Sequence, residues 1–146
     1  MNIVNLKDAT SIFGGKASGL ALLNKMDVPV PSGFVINDTL SISFTENEIE
    51  TLKQFLSRLN PEKRLAIRSS ACAEDGSEKS FAGIFETKLN VENDIVSVMA
   101  AVREVNLSAT TDVVKAYSNG QKQIMNIVIQ EMVEPQLSGG IIYGCN

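Results

Sequence analysis

The stretch RLAIRSSACAEDGSEKSFAGIFETKLN, residues 64–90, decides the predicted fold because two strand patterns flank a loop of small and acidic residues. Its beginning, Leu65-Ala66-Ile67, is a short apolar run of the kind found in buried strands. In residues 85–89, FETKL, apolar or hydroxyl side chains alternate with charged ones, and this period of two predicts a half-buried strand. The sequence therefore predicts two strands joined by a loop.

The predicted loop carries residue types that bind anions. Arg68 stands where the first strand ends, the hydroxyl pair Ser69-Ser70 follows it, and Ser80-Phe81-Ala82-Gly83 brackets one aromatic ring with small residues. An arginine offers phosphate a fixed fork of donors, and small residues let backbone N–H groups approach the oxygens. The alternative is a solvated or ion-paired arginine beside ordinary turns.

The composition limits the function classes open to the chain. Its 146 residues suffice for one domain or part of a larger one, and the net charge of −4 argues against a nucleic-acid partner. Since the chain has no histidine, a histidine base or phosphohistidine would have to lie elsewhere. Two cysteines predict no disulfide framework or zinc site. No secretory signal or bilayer-length apolar run is evident, so we expect no membrane partner and a cytoplasmic location.

A second anion-binding pattern lies near the start of the chain. After an expected edge strand within residues 1–13, Gly14-Gly15-Lys16 precedes a predicted helix with Leu20, Leu23 and Met26 on one side. Free N–H groups and the positive end of the helix dipole favour phosphate there. The spacing is not that of a Walker A loop, and the alternative is a plain turn with Lys16 solvated.

The remaining patterns predict an α+β fold, because strands and helices alternate without βαβ regularity. Thr45 and Glu48 form a capping-box pattern at a helix start, and Asn93 or Asp94 can cap a later helix. Further elements are expected as strands at 34–36, 124–133 (central) and 138–143, and as a short helix at 110–117.

Four segments in this order resemble the nucleotide-binding domain of the pyruvate phosphate dikinase and phosphoenolpyruvate synthase family. They are GGKASGLALLNKMDVPVPSGFVI (14–36), AIRSSACAEDGSEKSFAGIFETKLNV (66–91), TTDVVKAYSNG (110–120) and VIQEMVEPQLSGGIIY (128–143). The span between residues 36 and 64 is shorter than the family pattern, and Cys72 replaces its common threonine. The resemblance implies an ATP-grasp-like fold that holds ATP between two lobes.

The resemblance also implies roles for individual residues. Lys16 and Arg68 would contact the ATP phosphates, and a loop would cover them. The loop would comprise Ser80, Phe81, Ala82 and Gly83. The segment that reads the adenine edge would comprise Gln130, Glu131, Met132 and Val133. The chain, 1–146, would be the N-terminal part of the ATP-binding domain: segment 1–60 would precede segment 61–146, which carries the phosphate loop and hinge strand.

The function implied by the resemblance is that of an ATP-dependent phosphotransferase. It would pass phosphate from ATP to a histidine on a separate domain, with Mg²⁺ bound by residues outside this chain, so we expect the second lobe and the phosphohistidine domain as partners and no activity from 1–146 alone. The acceptor stays open among pyruvate, water, a glucan and an antibiotic. The alternatives are a non-catalytic, truncated homologue that binds nucleotide or protein, and a metabolite-binding domain unrelated to phosphate.

Overall fold

A computed structural model describes residues 2–39, 43–71, 86–108 and 125–134. Its strands are β1 (Asn2–Asn5), β2 (Gly33–Asn37), β3 (Leu65–Ala71), β4 (Thr87–Val91) and β5 (Met125–Glu131). Its helices are α1 (Gly15–Lys25), α2 (Glu46–Leu56) and α3 (Ile95–Ser108), and short 3-10 turns lie at Leu6–Asp8 and Ser11–Phe13. The predicted helix at 110–117 and strand at 138–143 lie outside the described residues.

The strands form one antiparallel sheet in the order β1-β2-β5-β3-β4. The last described strand of the chain, β5, lies in the middle, and all seven of its residues are buried. This confirms the central strand expected within 124–133, the edge strand near the start and the mixed α+β class. Segments 1–60 and 61–146 both contribute strands, because β5 lies between β2 and β3.

One face of the sheet is covered by α2 and α3. Apolar side chains at helical spacing, among them Leu52, Val98 and Val102, pack with Ile67 and Ile129 into the larger core. Both helix starts form as the sequence predicts. Thr45 and Glu48 make a full capping box, and the Asp94 carboxylate accepts hydrogen bonds from the N–H groups that open α3.

The opposite face carries α1, and here the predicted helix face is right for Leu20, which packs against this core, and wrong for the other two residues. Leu23 and Met26 are 41% and 64% exposed, whereas Ala17 and Ala21 are buried against Val35 and Val128. Residues four apart share a helix face, and alanine lets the helix axis approach the sheet closely. Leu23 and Met26 therefore lie away from the closest contact with the sheet.

On the α1 side of the sheet, the edge strand β4 is exposed in the described part of the chain. Thr87 is the partner of Arg68 across the β3–β4 ladder, so both lie on the α1 side of the sheet. Leu89, two residues on, is 58% exposed, while Lys88 on the other side is half-buried. The predicted strand is thus confirmed, and its α1-facing side is open in the described part of the chain. None of the helices described there is both long and apolar enough to cross a bilayer.

Candidate functional site

The register of the sheet places Arg68 on the same face as α1. Arg68 is opposite Val128 in β5, and Val128 is opposite Val35 in β2. Directly opposed residues of neighbouring strands project to the same face, and these two valines pack against α1. Ile67, one residue earlier, therefore projects into the core beneath α2 and α3.

A direct contact joins the two anion-binding patterns of the sequence. The backbone N–H of Ala17 donates a buried hydrogen bond of 3.1 Å to the Oγ of Ser70. Gly14, the N-cap of α1, has φ +86°, and a Cβ there would lie 2.5 Å from the carbonyl oxygen of Ser70. The helix start that carries Lys16 thus lies directly against the end of the strand that carries Arg68.

Within the described ranges, no acidic side chain pairs with Arg68. The residue is half-buried, and its side chain makes no hydrogen bond, ion pair or ring contact with another residue of the described ranges. Burying a cation without a partner is unfavourable, so natural proteins usually pair such groups. A half-buried arginine without a partner in the described ranges is suited to bind an anion.

Four other cations of the described chain contact acidic or aromatic side chains away from this face. Lys88 bridges to Glu104 at 2.6 Å and to Glu86 at 2.8 Å on the α3 side. Hydrogen bonds with Glu104 and Glu86 raise the pKa of Lys88 to about 12. Arg64 pairs with Glu92. The guanidinium groups of Arg58 and Arg103 stack over Phe55 and Phe44 respectively.

Lys16 occupies the second position of α1 and is half-buried. The first turn of a helix presents N–H groups without intrahelical acceptors and has a positive partial charge. No acidic residue lies in the first turn of α1, so nothing there opposes an anion. Lys16, this helix start and Arg68 together form the candidate phosphate site.

The predicted adenine-reading segment divides between the two faces of the sheet. Gln130 follows the alternation of Val128 on the α1 side, and its Nε2 donates to the Pro31 carbonyl oxygen at 3.1 Å. Glu131 projects to the other side. Its carboxylate accepts a hydrogen bond of 2.8 Å from the Asn60 N–H and pairs with Lys63 at 3.5 Å.

Two backbone N–H groups after Gln130 already donate hydrogen bonds within the protein. The N–H of Glu131 donates to the Ser32 carbonyl oxygen, and that of Met132 to the Arg64 carbonyl oxygen, both at 2.8 Å. Val133 is 65% exposed. Along β5, the position opposite Arg68 and Met132 are four residues apart, about 13 Å at the usual rise of a strand. Gln130 thus shares a face with Arg68, whereas the Glu131 side chain lies on the other face of the sheet.

One part of the expected site cannot be placed on this surface, because Ser80, Phe81, Ala82 and Gly83 lie outside the described residues. The Mg²⁺ ligands were expected outside this chain, and the described ranges hold no group of three or more carboxylate or thiol side chains arranged around a metal ion.

Sequence reasoning missed two buried polar residues that organise this face. Ser70 was noted as part of a hydroxyl pair but given no role. Asn126, fully buried in β5, donates from Nδ2 to the Ile12 carbonyl oxygen at 3.2 Å and accepts from the Asp38 N–H at 3.1 Å. An asparagine inside an apolar strand is itself a signal, since a buried amide requires partners.

Comparison with known proteins finds one family and several relatives that match most of this chain. Residues 40–146 match the family described as the pyruvate phosphate dikinase, AMP/ATP-binding domain. The chain is 28% identical to the uncharacterized phosphotransferase YvkC of Bacillus subtilis, with 92% of the chain and 20% of that protein covered. It is 30% identical to the rifampicin phosphotransferase of B. subtilis, over 68% of the chain and 12% of that protein.

A third relative is the phosphoenolpyruvate synthase of Aeropyrum pernix, at 27% identity over 91% of the chain and 22% of that protein. The chain therefore spans about a fifth or less of the length of these relatives.

Proposed function

Because this chain belongs to the pyruvate phosphate dikinase AMP/ATP-binding domain family, we propose that the α1 face of its sheet binds ATP. The observation that carries the proposal is Arg68, a half-buried guanidinium without a partner in the described ranges, beside the helix start that bears Lys16. Charge-assisted hydrogen bonds from arginine to phosphate are about twice as strong as neutral ones. A triphosphate would supply the missing partner.

The proposed orientation places the phosphates at Lys16 and Arg68 and the adenine at the end of β5. The side-chain amide of Gln130 lies on the correct face for this contact, whereas the Glu131 carboxylate is held on the opposite face by Asn60 and Lys63. Glu131 would thus contribute through its backbone, with Met132 and Val133. Ser80, Phe81, Ala82 and Gly83 would cover the phosphates, as the resemblance implies.

The chemistry follows from what these groups supply. Phosphoryl transfer depends mainly on positioning and on neutralising charge on the phosphate oxygens, and Lys16 and Arg68 would do both. We propose an ATP-grasp-like phosphotransferase in which this chain is the N-terminal part. A histidine on a separate domain would accept the phosphate, since this chain has none. Mg²⁺, held by residues outside this chain, would neutralise further phosphate charge.

The choice of final acceptor is not proposed from this site. The related proteins named above include one described as acting on rifampicin and one that bears the name of a phosphoenolpyruvate synthase. A shared nucleotide site with different acceptors is consistent with this proposal, because the residues proposed here would contact only the polyphosphate or the base.

Calorimetric titration of Mg-ATP into the chain and into Arg68→Ala tests the proposal. The wild-type chain should bind, and Arg68→Ala should bind about tenfold to a hundredfold more weakly, the usual loss for a hydrogen bond to a charged group. Arg103→Ala is the matched control, because it removes the same charge from α3, on the other side of the sheet. Its affinity should stay within about twofold of wild type, since distant exposed charges are screened.

Equal affinities of wild type and Arg68→Ala would contradict the proposed site. Circular dichroism of each variant ensures that a loss of affinity is read only from folded protein. An equal loss in Arg103→Ala and Arg68→Ala would show that net charge, and not the placement of Arg68, controls binding.

A further inference from the structure

The N-terminus of α1 is capped by a residue from a distant strand. An N-cap residue normally accepts a hydrogen bond from the second or third N–H of its own helix through a side-chain oxygen. In α1 the N-cap is Gly14, which has no side chain, and the third helical N–H, that of Ala17, donates instead to Ser70 Oγ. The bond joins residues 53 positions apart in the sequence.

The glycine and the serine require each other. Gly14 adopts φ +86° and ψ 166°, a combination that is essentially restricted to glycine. A Cβ at this position would also lie 2.6 Å from Ser70 Oγ and 2.5 Å from the Ser70 carbonyl oxygen. An ordinary capping residue at position 14 is therefore excluded, and Ser70, which is fully buried, supplies the capping oxygen.

We propose that Ser70 is a positioning residue for the nucleotide phosphates: by capping α1 from β3, it fixes the turn that bears Lys16 relative to Arg68. This inference rests on the proposed function, because it concerns the same phosphate site. Ser70 acts through Lys16 and the first turn of α1 and does not contact the nucleotide. The two cations lie on separate elements, and the buried hydrogen bond from Ala17 to Ser70 joins those elements next to Lys16.

The expected consequence is specific to the polyphosphate. Removing the cap leaves a buried N–H without its acceptor and loosens the first turn of α1. The affinity for ATP should fall, while that for adenosine, which lacks phosphates, should not change. A residue that only supported the fold would weaken both ligands or neither.

The experiment compares Ser70→Ala with Ser69→Ala in the 146-residue chain. Ser69 is an ideal control because it is the adjacent residue, is equally buried and projects to the opposite face of the sheet. Affinities for Mg-ATP and adenosine are measured by calorimetry, and the amide hydrogen exchange of Ala17 is measured by NMR. Ser70→Cys serves as a second variant, since its sulfur is a weaker acceptor of similar size.

In Ser70→Ala, the preference for ATP over adenosine should fall about twofold to tenfold, the net worth of one hydrogen bond, and Ala17 should exchange faster. Ser70→Cys should show a smaller decrease in the preference for ATP. If Ser70→Ala does not fold, the preference measured for Ser70→Cys tests the positioning role. Ser69→Ala should keep the wild-type preference.

Two results would overturn the inference while the proposed function stands. One is an unchanged ATP preference in folded Ser70→Ala and Ser70→Cys although wild type prefers ATP. The other is an equal loss of preference in Ser69→Ala. If wild type itself shows no preference for ATP over adenosine, the proposed function fails, and the positioning role fails with it.

Discussion

Ile67 and Arg68 are adjacent on β3 but belong to different environments. Ile67 is fully buried in the core beneath α2 and α3, whereas Arg68 is half-buried without a partner in the described ranges on the side of α1. The same alternation separates the neighbouring serines, since Ser70 contacts α1 and Ser69 projects the other way. One face of the sheet therefore supplies folding energy through large apolar side chains, and the other carries the small and polar residues of the candidate phosphate site.

The largest effect on stability is expected on the sheet face that packs against α2 and α3, here called the folding face. Ile67→Ala should lower the free energy of unfolding by about 2–5 kcal/mol, because it removes buried methyl groups and leaves a cavity. Urea denaturation measures this loss. In the fraction that remains folded, the affinity for Mg-ATP should equal that of wild type. A loss below about 1 kcal/mol would contradict the assignment of this face as the main source of stability.

A second large effect on stability is expected at the contact between Gly14, at the start of α1, and Ser70, in β3. Gly14→Ala should destabilise the chain by about 2–4 kcal/mol, because alanine is strained at positive φ and its Cβ would overlap the Ser70 backbone. Gly19→Ala is the matched control. Gly19 lies within α1, nothing lies within 4 Å of a Cβ there, and alanine should stabilise the helix by about 0.5–1 kcal/mol.

Thermal unfolding of both glycine variants provides the measurement. A lower unfolding temperature for Gly14→Ala and a higher one for Gly19→Ala would confirm that glycine is required at the contact with Ser70 and not throughout α1. A Gly14→Ala variant as stable as Gly19→Ala would contradict the described geometry of this contact.

The smallest effect on stability is expected from the Asp94 cap at the start of α3, and it depends on pH. Hydrogen bonds from the Ser97 side chain and backbone, and from the Val96 N–H, lower the pKa of Asp94 below its ordinary 3.8. A carboxyl whose pKa is lower in the folded state stabilises the fold above its unfolded pKa and loses that contribution as the pH falls through the folded value. Asp94→Asn keeps a capping oxygen but does not titrate there.

The difference in unfolding free energy between wild type and Asp94→Asn should therefore shrink as the pH drops below 3.8. Because the carboxylate is largely exposed, the change should stay under about 1 kcal/mol. Urea denaturation at a series of pH values measures it. A difference that is constant with pH, or that grows on acidification, would contradict the capping role.

The sequence predicted the folding face better than the binding face, for a physical reason. The apolar positions of α2, α3 and β5 follow regular periods, and burial of large side chains is a local property that such periods reveal. The capping residues Thr45 and Asp94 were also predictable, because each acts on its own helix. These signals lie within a few residues of the elements they control.

The binding face depends on contacts that no local pattern contains. The leucines of α1 suggested a buried face at Leu23 and Met26, but close approach to Val35 and Val128 selects Ala17 and Ala21 instead. The cap from Ser70 to Ala17 crosses 53 residues. The glycines and the arginine were recognised as anion-binding types, yet only the sheet register shows that Arg68 shares a face with α1.

The most direct test of the account is to map Mg-ATP onto the two faces by NMR of the isotope-labelled chain. Amide shifts on adding Mg-ATP should concentrate at Lys16, Ala17 and Arg68 and at the end of β5, and adenosine should reproduce only the shifts at the end of β5. Residues of α3 such as Val98 and Val102 should not move. Shifts that concentrate on α2 and α3, or that are absent from Lys16 and Arg68 at saturation, would contradict it.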